Sequence, residues 1–402
     1  MLKMTTSLVL VTGLVVGGCD KKAEEGTAQK PTEGAAATPP PPPPSEAPKP
    51  LTGTALADAY KACVNLVNDA KFDDFRKTCI ADGYQVHDNG DGSTRKAEEL
   101  IGWFQTMKGA MPDFKLTPQI VLVSGRTILA VVLVTGTQTA PMKTPMGEMP
   151  ATSKKIGALM FHKLAVNDAN KATEEWAYND PSTMMGQLGM APKGAPPTRA
   201  ALEKGLDGAP IVVVTADDAK EKANLEAAKK ATDAINAGKW ADAMALMQAD
   251  VIDSDQAGPS DMKGTKDVEA GLKMWFTAFK GAKVSIDNAY AAGDYVVHLG
   301  KFTGTHDKAL GPLRKTGKDL NLDYAEVILA KDGKAVQLWR FHSGMVLATQ
   351  LGLMPAPGAP PTGGQPAAGS AAPTAPTAAP AAGSAAPTAA PAAGSAAAPA
   401  KP

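Results

Sequence analysis

Apolar residues recur at helical spacing in the first half of the chain. In residues 55–70 the apolar positions on one helix face are Leu56, Tyr60, Cys63, Val64 and Val67. In residues 96–108 the corresponding stripe is Leu100, Trp103, Phe104 and Met107. Steps of three and four residues place side chains on one side of an α-helix. The pattern therefore predicts helices over residues 55–70, 72–80 and 96–108.

The pattern then changes to the alternation and short apolar runs that are typical of strands. Strands are predicted near residues 114–123, 126–138, 152–165 and 172–180. Every residue from Ile128 to Val134 is apolar, so we expect this strand to be covered on both faces. Helices followed by a set of antiparallel strands predict an α+β domain.

A set of landmarks occurs twice in the same order, which indicates an internal repeat. Each copy has a Trp-Phe pair at the end of a helical stretch, then a strand with a hydrophobic-Thr-Gly-Thr sequence. Each copy closes with a tryptophan eleven residues before a Gln-Leu-Gly sequence. The paired landmarks are Trp103-Phe104 with Trp275-Phe276, Gly136 with Gly304, and Trp176 with Trp339.

The second copy repeats the order of helices and strands. Its predicted helices lie near residues 216–237, 239–248 and 264–280, and its strands near 283–290, 294–305, 319–330 and 335–343. Two tandem domains are therefore predicted, over residues 53–190 and 215–355. The segment 191–214 between them is rich in Pro, Gly and Ala and is predicted as a linker.

The N-terminus has the features of an export signal. Lys3 precedes a mostly apolar stretch, Met4–Val16, which is shorter than the roughly 20 residues of a membrane-spanning helix. The stretch ends at Gly17-Gly18-Cys19, and polar residues follow directly. This resembles the lipobox of bacterial lipoproteins, with Val at the position where Leu is commoner. It implies a signal peptide over residues 1–19 and a lipid on Cys19; the alternative is an ordinary signal peptide with an incidental cysteine.

The segments outside the two domains have compositions that do not build a core. Residues 20–52 contain six consecutive prolines and are predicted as an extended linker, and residues 356–402 are a low-complexity tail of Ala, Pro, Gly, Ser and Thr. With a lipid on Cys19, the chain is expected in the cell envelope, anchored to a bacterial membrane and facing the periplasm or the exterior.

Charge and cysteine content narrow the function classes. The chain has 41 basic and 41 acidic residues and only 5% aromatic residues, so nucleic acid is not expected as a partner. Outside the cytoplasm, Cys63 and Cys79 are free to form a disulfide; the alternative is two buried thiols. No cofactor is predicted, and no metal site, since His298, His306 and His342 lack a short ligand spacing.

Together the repeat landmarks resemble those of the SnoaL-like polyketide cyclase family, within the nuclear transport factor two-like superfamily. The resemblance covers nearly the whole of each copy. It implies two cone-shaped α+β barrels, each a curved antiparallel sheet wrapped by helices around an apolar cavity. Members of the superfamily often dimerise through their sheets, so the two copies are expected to pair as an intrachain pseudo-dimer.

The resemblance also suggests site residues. Asp180 matches a carboxylate that serves as acid or base in the family's enzymes, although an Asp before Pro181-Ser182 is also a typical helix N-cap. His87 and Tyr84 are candidates at the same cavity, His87 as a second catalytic group. In the second copy Ser343 replaces the Asp, and His342 precedes it. Trp103, Trp176, Trp275, Trp339 and His342 are predicted to contact a ligand, the alternative for the tryptophans being core packing.

Three functions remain open on the sequence alone. The first is an anchored module that binds a small apolar ligand or an envelope protein partner. The second is a cyclase or isomerase that uses Asp180 with His87 in the first domain. The third is a structural envelope protein, and the loss of the Asp in the second copy weighs against two catalytic domains.

Overall fold

The computed structural model describes residues 49–144, 147–192 and 195–354. Cys19, the predicted signal peptide, most of the predicted 20–52 linker and the tail lie outside these residues. Within them, no helix is both long and apolar enough to cross a membrane.

The first domain has four helices and a sheet with two additional short strands beside it. Its elements are α1 Gly53–Asn68, α2 Phe72–Cys79, β1 Ile80–Asp88, β2 Ser93–Lys96, α3 Ala97–Ala110, β3 Lys115–Ser124, β4 Thr127–Thr137, β5 Met142–Thr144, β6 Gly147–Met149, β7 Lys155–Val166, β8 Ala172–Tyr178 and α4 Pro181–Gln187. The sheet order is β2-β1-β8-β7-β4-β3-β9, where β9 is Ile211–Val214. Strands β1 and β8 pair in parallel, which brings the start of the domain beside its end.

The second domain repeats this order. Its elements are α5 Ala219–Asn236, α6 Trp240–Ala245, β10 Met247–Asp255, β11 Met262–Lys263, α7 Gly264–Ala278, β12 Phe279–Ala292, β13 Tyr295–His306, β14 Asp319–Lys331, β15 Lys334–Phe341 and α8 Gly344–Gln350. The sheet order is β11-β10-β15-β14-β13-β12. The predicted α+β class with two tandem curved sheets is confirmed, but neither sheet closes into a barrel.

The segment predicted as a linker contains a strand of the first sheet. Ile211–Val214 pairs in parallel with β3, from Ile120 opposite Ile211 to Val123 opposite Val214. Four consecutive β-branched residues favour a strand, and they cover an edge that would otherwise be open. The Pro- and Gly-rich composition of the preceding residues favours a loop, so the sequence pattern does not predict this strand.

The apolar run on β4 is buried on both faces, as predicted. Ile128, Ala130 and Val132 face the first domain's own core. Leu129 and Val131, on the opposite face, belong to a hydrophobic cluster that also contains residues of the second sheet. The outer faces of the two sheets therefore pack against each other.

Candidate functional site

A cavity of about 80 Å³ lies in the first domain between the helices and the inner face of the sheet. The helix face predicted from residues 55–70 supplies one wall, and all five of its predicted apolar positions line the cavity. Phe75, Leu100 and Phe104 supply another part of the wall from α2 and α3. Most of the lining is apolar, so the few polar groups that reach it determine what kind of molecule fits.

A carboxylate, a phenol and an imidazole meet at this cavity from three adjacent strands. Glu175 on β8 is 8% exposed. Its Oε2 accepts a hydrogen bond from the Tyr84 hydroxyl on β1, and its Oε1 contacts Nδ1 of His162 on β7. All three side chains line the cavity, as does Tyr60 from α1.

The environment keeps Glu175 ionised and the phenols protonated at neutral pH. Burial alone would raise the pKa of Glu175, but the charge of His162 and the hydrogen bonds from His162 and Tyr84 outweigh it, so this pKa is lowered. The pKa of Tyr84 is raised well above its ordinary value by burial and then by the charge of Glu175. Burial and the same charge raise the pKa of Tyr60.

The second ring nitrogen of His162 is free for a ligand. Its Nε2 is buried and has no hydrogen-bond partner among the residues that the structure describes. In the neutral imidazole, with the proton on Nδ1 in a hydrogen bond to Glu175, Nε2 presents a lone pair; in the protonated ring, whose charge lowers the pKa of Glu175, Nε2 is a second donor. A buried polar atom without a partner is costly, so a donor group of a bound molecule would be favoured there. The same pair also has the arrangement of a general base and its orienting carboxylate.

The structure places Asp180 outside this cavity, at the N-terminus of α4. Its carboxylate accepts hydrogen bonds from the backbone N–H groups of Ser182 at 3.1 Å and Thr183 at 3.0 Å, and from the Thr183 hydroxyl at 2.7 Å. It also accepts one from the N–H of Gly344 in the second domain at 3.0 Å. The N-cap alternative for Asp180 is therefore confirmed. Burial raises the pKa of this carboxyl.

Of the other two candidates on β1, only Tyr84 reaches the cavity. His87 lies on the opposite face of β1, where its Nε2 is 2.7 Å from Glu174 Oε1 and its ring stacks on Trp176 at 5.3 Å. Successive side chains of a strand alternate between faces, so Tyr84 and His87 cannot share one. The structure does not bring His87 and Asp180 together at the cavity.

The predicted ligand-contacting tryptophans are placed in packing positions. Trp103 lies edge-on to Phe104, with ring centroids 5.3 Å apart, and Trp275 contacts Phe302 at the same centroid distance. Trp339 is 7% exposed in the cluster that both sheets share. The Lys163 ammonium lies 3.9 Å from the ring centroid of Trp176. The ring centroids of His342 and Trp275 are 5.7 Å apart. None of these side chains lines the first domain's cavity.

Cys63 and Cys79 form a disulfide that joins α1 to the end of α2. Both cysteines line the cavity. The disulfide therefore belongs to the wall of the site as well as to the scaffold of the domain.

The second domain has a different set of polar residues at the corresponding place. Its cavity is about 40 Å³. Leu338 comes directly before Trp339, as Glu175 comes directly before Trp176. Trp339 pairs with Val327, which follows Glu326, and Trp176 pairs with Lys163, which follows His162. Leu338 and Glu326 therefore take the places of Glu175 and His162. Ala228 takes the place of Tyr60, because each stands eight residues before the last residue of its helix, Asn236 in α5 and Asn68 in α1.

A buried ion network occupies the second domain's core instead. Arg340 lies 3.1 Å from Asp253 Oδ2 and 3.0 Å from Glu326 Oε1. His342 Nε2 lies 3.1 Å from Asp255 Oδ2. Among the described residues, no group of three or more His, Cys, Asp or Glu side chains is arranged to hold a metal ion.

Sequence reasoning missed His162, Glu175 and Tyr60 as polar members of the site. The signal was present in part, because Glu174 and Glu175 are adjacent in a predicted strand and one of two adjacent side chains must face inward. The helical spacing places Tyr60 on the apolar face of α1, which is where it lies, but spacing does not show that its hydroxyl reaches the polar site.

Comparison with known proteins gives one family. The profile of the SnoaL-like polyketide cyclase family matches residues 56–188 and 226–351. No curated protein sequence matches the chain. Among solved structures, a protein from Jannaschia sp. CCS1 assigned as a SnoaL-like polyketide cyclase is 20% identical, with 36% of this chain and 97% of that chain covered and a TM-score of 0.32. IdmH from Streptomyces antibioticus, assigned as a polyketide cyclase, is 24% identical, with 33% of this chain and 98% of that chain covered and a TM-score of 0.30.

Proposed function

Because the chain belongs to the SnoaL-like polyketide cyclase family, we propose that its first domain binds a small, mostly apolar molecule that carries one hydrogen-bond donor. The observation that carries this proposal is the buried, unpartnered Nε2 of His162 in a cavity whose remaining lining is largely apolar. The donor of the ligand bonds this nitrogen, and the apolar body fills the space below α1. The second domain, with its smaller cavity and filled ion network, supports the first domain.

The cavity limits the size of the ligand. At about 80 Å³ it is well below the roughly 300–1,000 Å³ of pockets for drug-sized molecules. We therefore expect a ligand no larger than a single ring. Phenol is a suitable probe, because it combines an apolar ring with one O–H donor, and benzene is its matched control without the donor.

We expect phenol to bind the full chain about fivefold more tightly than benzene, since one hydrogen bond to an otherwise unpartnered buried atom contributes on the order of 1 kcal/mol. In His162→Asn this preference should disappear. The Asn amide reaches the place of Nδ1 and can still donate to Glu175, whereas nothing replaces Nε2. Binding is measured by titration calorimetry or by NMR line broadening of the probes.

Asp180→Asn is the matched control for this experiment, because Asp180 was the acid-base candidate and lies outside the cavity. It should retain the preference for phenol. Equal binding of phenol and benzene to the unmodified chain, or a preference that survives in His162→Asn, would refute the proposed role of Nε2.

The proposal includes attachment to a membrane through a lipid on Cys19. Its support is the position of Cys19 at the end of an apolar stretch and the absence of acidic or basic residues between Met4 and Gly18. In a bacterial host grown with labelled palmitate, the wild-type chain should take up the label and sediment with membranes. Cys19→Ser should do neither, and a labelled, membrane-bound Cys19→Ser variant would show that the anchor lies elsewhere.

A further inference from the structure

The disulfide has an unusual position for a purely structural cross-link. Cys63 and Cys79 both line the ligand cavity, so the bond is part of its wall. It connects the middle of α1, which packs on the sheet, to the last residue of α2. The whole of α2 therefore lies within the loop that the disulfide closes.

Helix α2 has few other attachments. Phe72 and Phe75 are only half-buried, and Phe75 meets Phe104 edge-on with ring centroids 6.1 Å apart. Arg76 makes long contacts of 3.3 Å to Glu98 and 3.4 Å to Asp82, both of which are exposed. Exposed ion pairs of this kind contribute little to stability. Apart from the chain itself, the disulfide is the covalent link between α2 and the middle of α1.

The second domain provides an internal comparison. Its corresponding helix, Trp240–Ala245, has no such link, because the sequence contains no cysteine after Cys79. That domain also lacks the Tyr84, His162 and Glu175 cluster. The cross-link is thus present only in the domain that has this cluster at its cavity.

We propose that the Cys63–Cys79 disulfide is a thiol–disulfide exchange site that controls entry to the first domain's cavity. This inference rests on the proposed ligand binding. A dithiol reductant attacks Sγ of half-buried Cys63, which breaks the Cys63–Cys79 bond and releases Cys79 as a thiolate. The second thiol of the reductant then displaces Cys63. The protein gains two electrons and two protons and becomes a dithiol, and the reductant becomes a disulfide.

Reduction removes the covalent hold of α1 on α2, which then stays attached by its continuation into β1 and by the packing of Phe72 and Phe75. Because α2 covers the cavity beside α1, its release opens a route that the oxidised domain lacks. Disulfides persist outside the cytoplasm, where exported thiol–disulfide oxidoreductases act on them. The oxidised state therefore retains a bound molecule, and the reduced state exchanges it.

Two measurements on the full chain test the gate. Hydrogen exchange of backbone amides in 72–79 should become at least tenfold faster in the reduced chain and in Cys63→Ser/Cys79→Ser, while residues 240–245 serve as the unchanged control. Xenon, an apolar probe that needs no hydrogen bond, should exchange at least tenfold faster with the cavity, as measured by xenon NMR.

Equal exchange of residues 72–79 in both redox states would overturn the proposal, as would a released α2 with unchanged xenon exchange. Faster amide exchange throughout β4 and β7 would also overturn it, since the bond would then be a general structural cross-link. Xenon exchange measures access to the cavity even if phenol does not bind. A failure of the proposed contact with His162 can therefore be distinguished from a failure of the proposed gate.

Discussion

Replacing Phe161 by alanine should lower the free energy of unfolding by about 3–5 kcal/mol, the usual cost of truncating a buried aromatic side chain. Phe161 is 1% exposed on β7. Its ring lies 5.8 Å from the rings of both Tyr178 in its own sheet and Phe341 in the second sheet. The cavity left by the substitution would therefore open at the contact between the two domains.

Because both sheets contribute to the hydrophobic cluster around Phe161, we expect both domains to lose stability. Denaturant unfolding gives the total change, and hydrogen exchange of β13 and β14 shows whether the second domain loses protection as well. Phe302→Ala is the matched control, since Phe302 is buried in a cluster formed only by second-domain residues. It should leave β4 and β7 protected. A Phe161→Ala variant whose second domain exchanges as slowly as before would show that the two domains unfold independently.

The sequence predicted those features that depend on periodicity within one element. The face of α1 follows from the spacing of its apolar residues, and that face lines the cavity. The burial of Ile128–Val134 on both sides follows from an uninterrupted apolar run, although the identity of the second covering layer does not. That layer is the other repeat, and its presence is visible in the sequence only through the repeat landmarks.

The polar site was harder to predict because it depends on pairing between strands. Which of Glu174 and Glu175 faces the cavity depends on where the alternation of β8 begins, and one residue of shift reverses the answer. A register shift between Ala165 and Val166 on the partner strand adds to this uncertainty. His162 becomes a partner of Glu175 only once β7 lies beside β8, which no local pattern specifies.

The replacement of Asp180 by Ser343 in the second copy has a structural reading. Both residues are helix N-caps, and both bond to the other domain: Asp180 accepts from the N–H of Gly344, and the Ser343 hydroxyl donates to the carbonyl of Gly90 at 2.6 Å. Ser343 also accepts from the N–H of Val346 at 3.1 Å. Serine and aspartate cap helices about equally well, so the exchange preserves the cap. The difference between the copies at this position is therefore no evidence that one copy has lost an activity.

Asp253→Asn should gain stability relative to the wild type as the pH rises, and its advantage should grow by about 2–3 kcal/mol between pH 5 and pH 8. Asp253 is fully buried. Burial raises its pKa to about 7, and the negative charges of Glu326, Asp255 and Asp261 add to the rise, which the positive charge of Arg340 opposes. A carboxyl in this environment is neutral in the native state at pH 5 and ionised at pH 8.

The sign follows from proton binding in the two states. Between its ordinary value near 3.8 and about 7, Asp253 keeps its proton in the native chain and loses it in the unfolded chain. The native state then binds more protons, so the stability from this group is complete below pH 3.8 and is lost as the pH rises through 7. The asparagine side chain has no proton to lose, so the variant lacks this part of the dependence of stability on pH. The pKa of His342 is also raised, so its contribution to stability is likewise lost as the pH rises. The wild type and Asp253→Asn share this loss.

Asp255→Asn is the control with the opposite sign. Although burial acts to raise it, the pKa of Asp255 is lowered by the charge of His342 and by the hydrogen bond between them, so its stabilising contribution is present above its ordinary value and is lost only as the pH falls. Replacing it should destabilise the chain throughout pH 5–8, since His342 then loses the carboxylate that stabilises its protonated form against burial. Urea unfolding at pH 5, 6.5 and 8 separates the cases. If Asp253→Asn lowers the stability at pH 5 as well as at pH 8, as Asp255→Asn does, then Asp253 is already ionised in the native state at pH 5 and Arg340 outweighs the effect of burial.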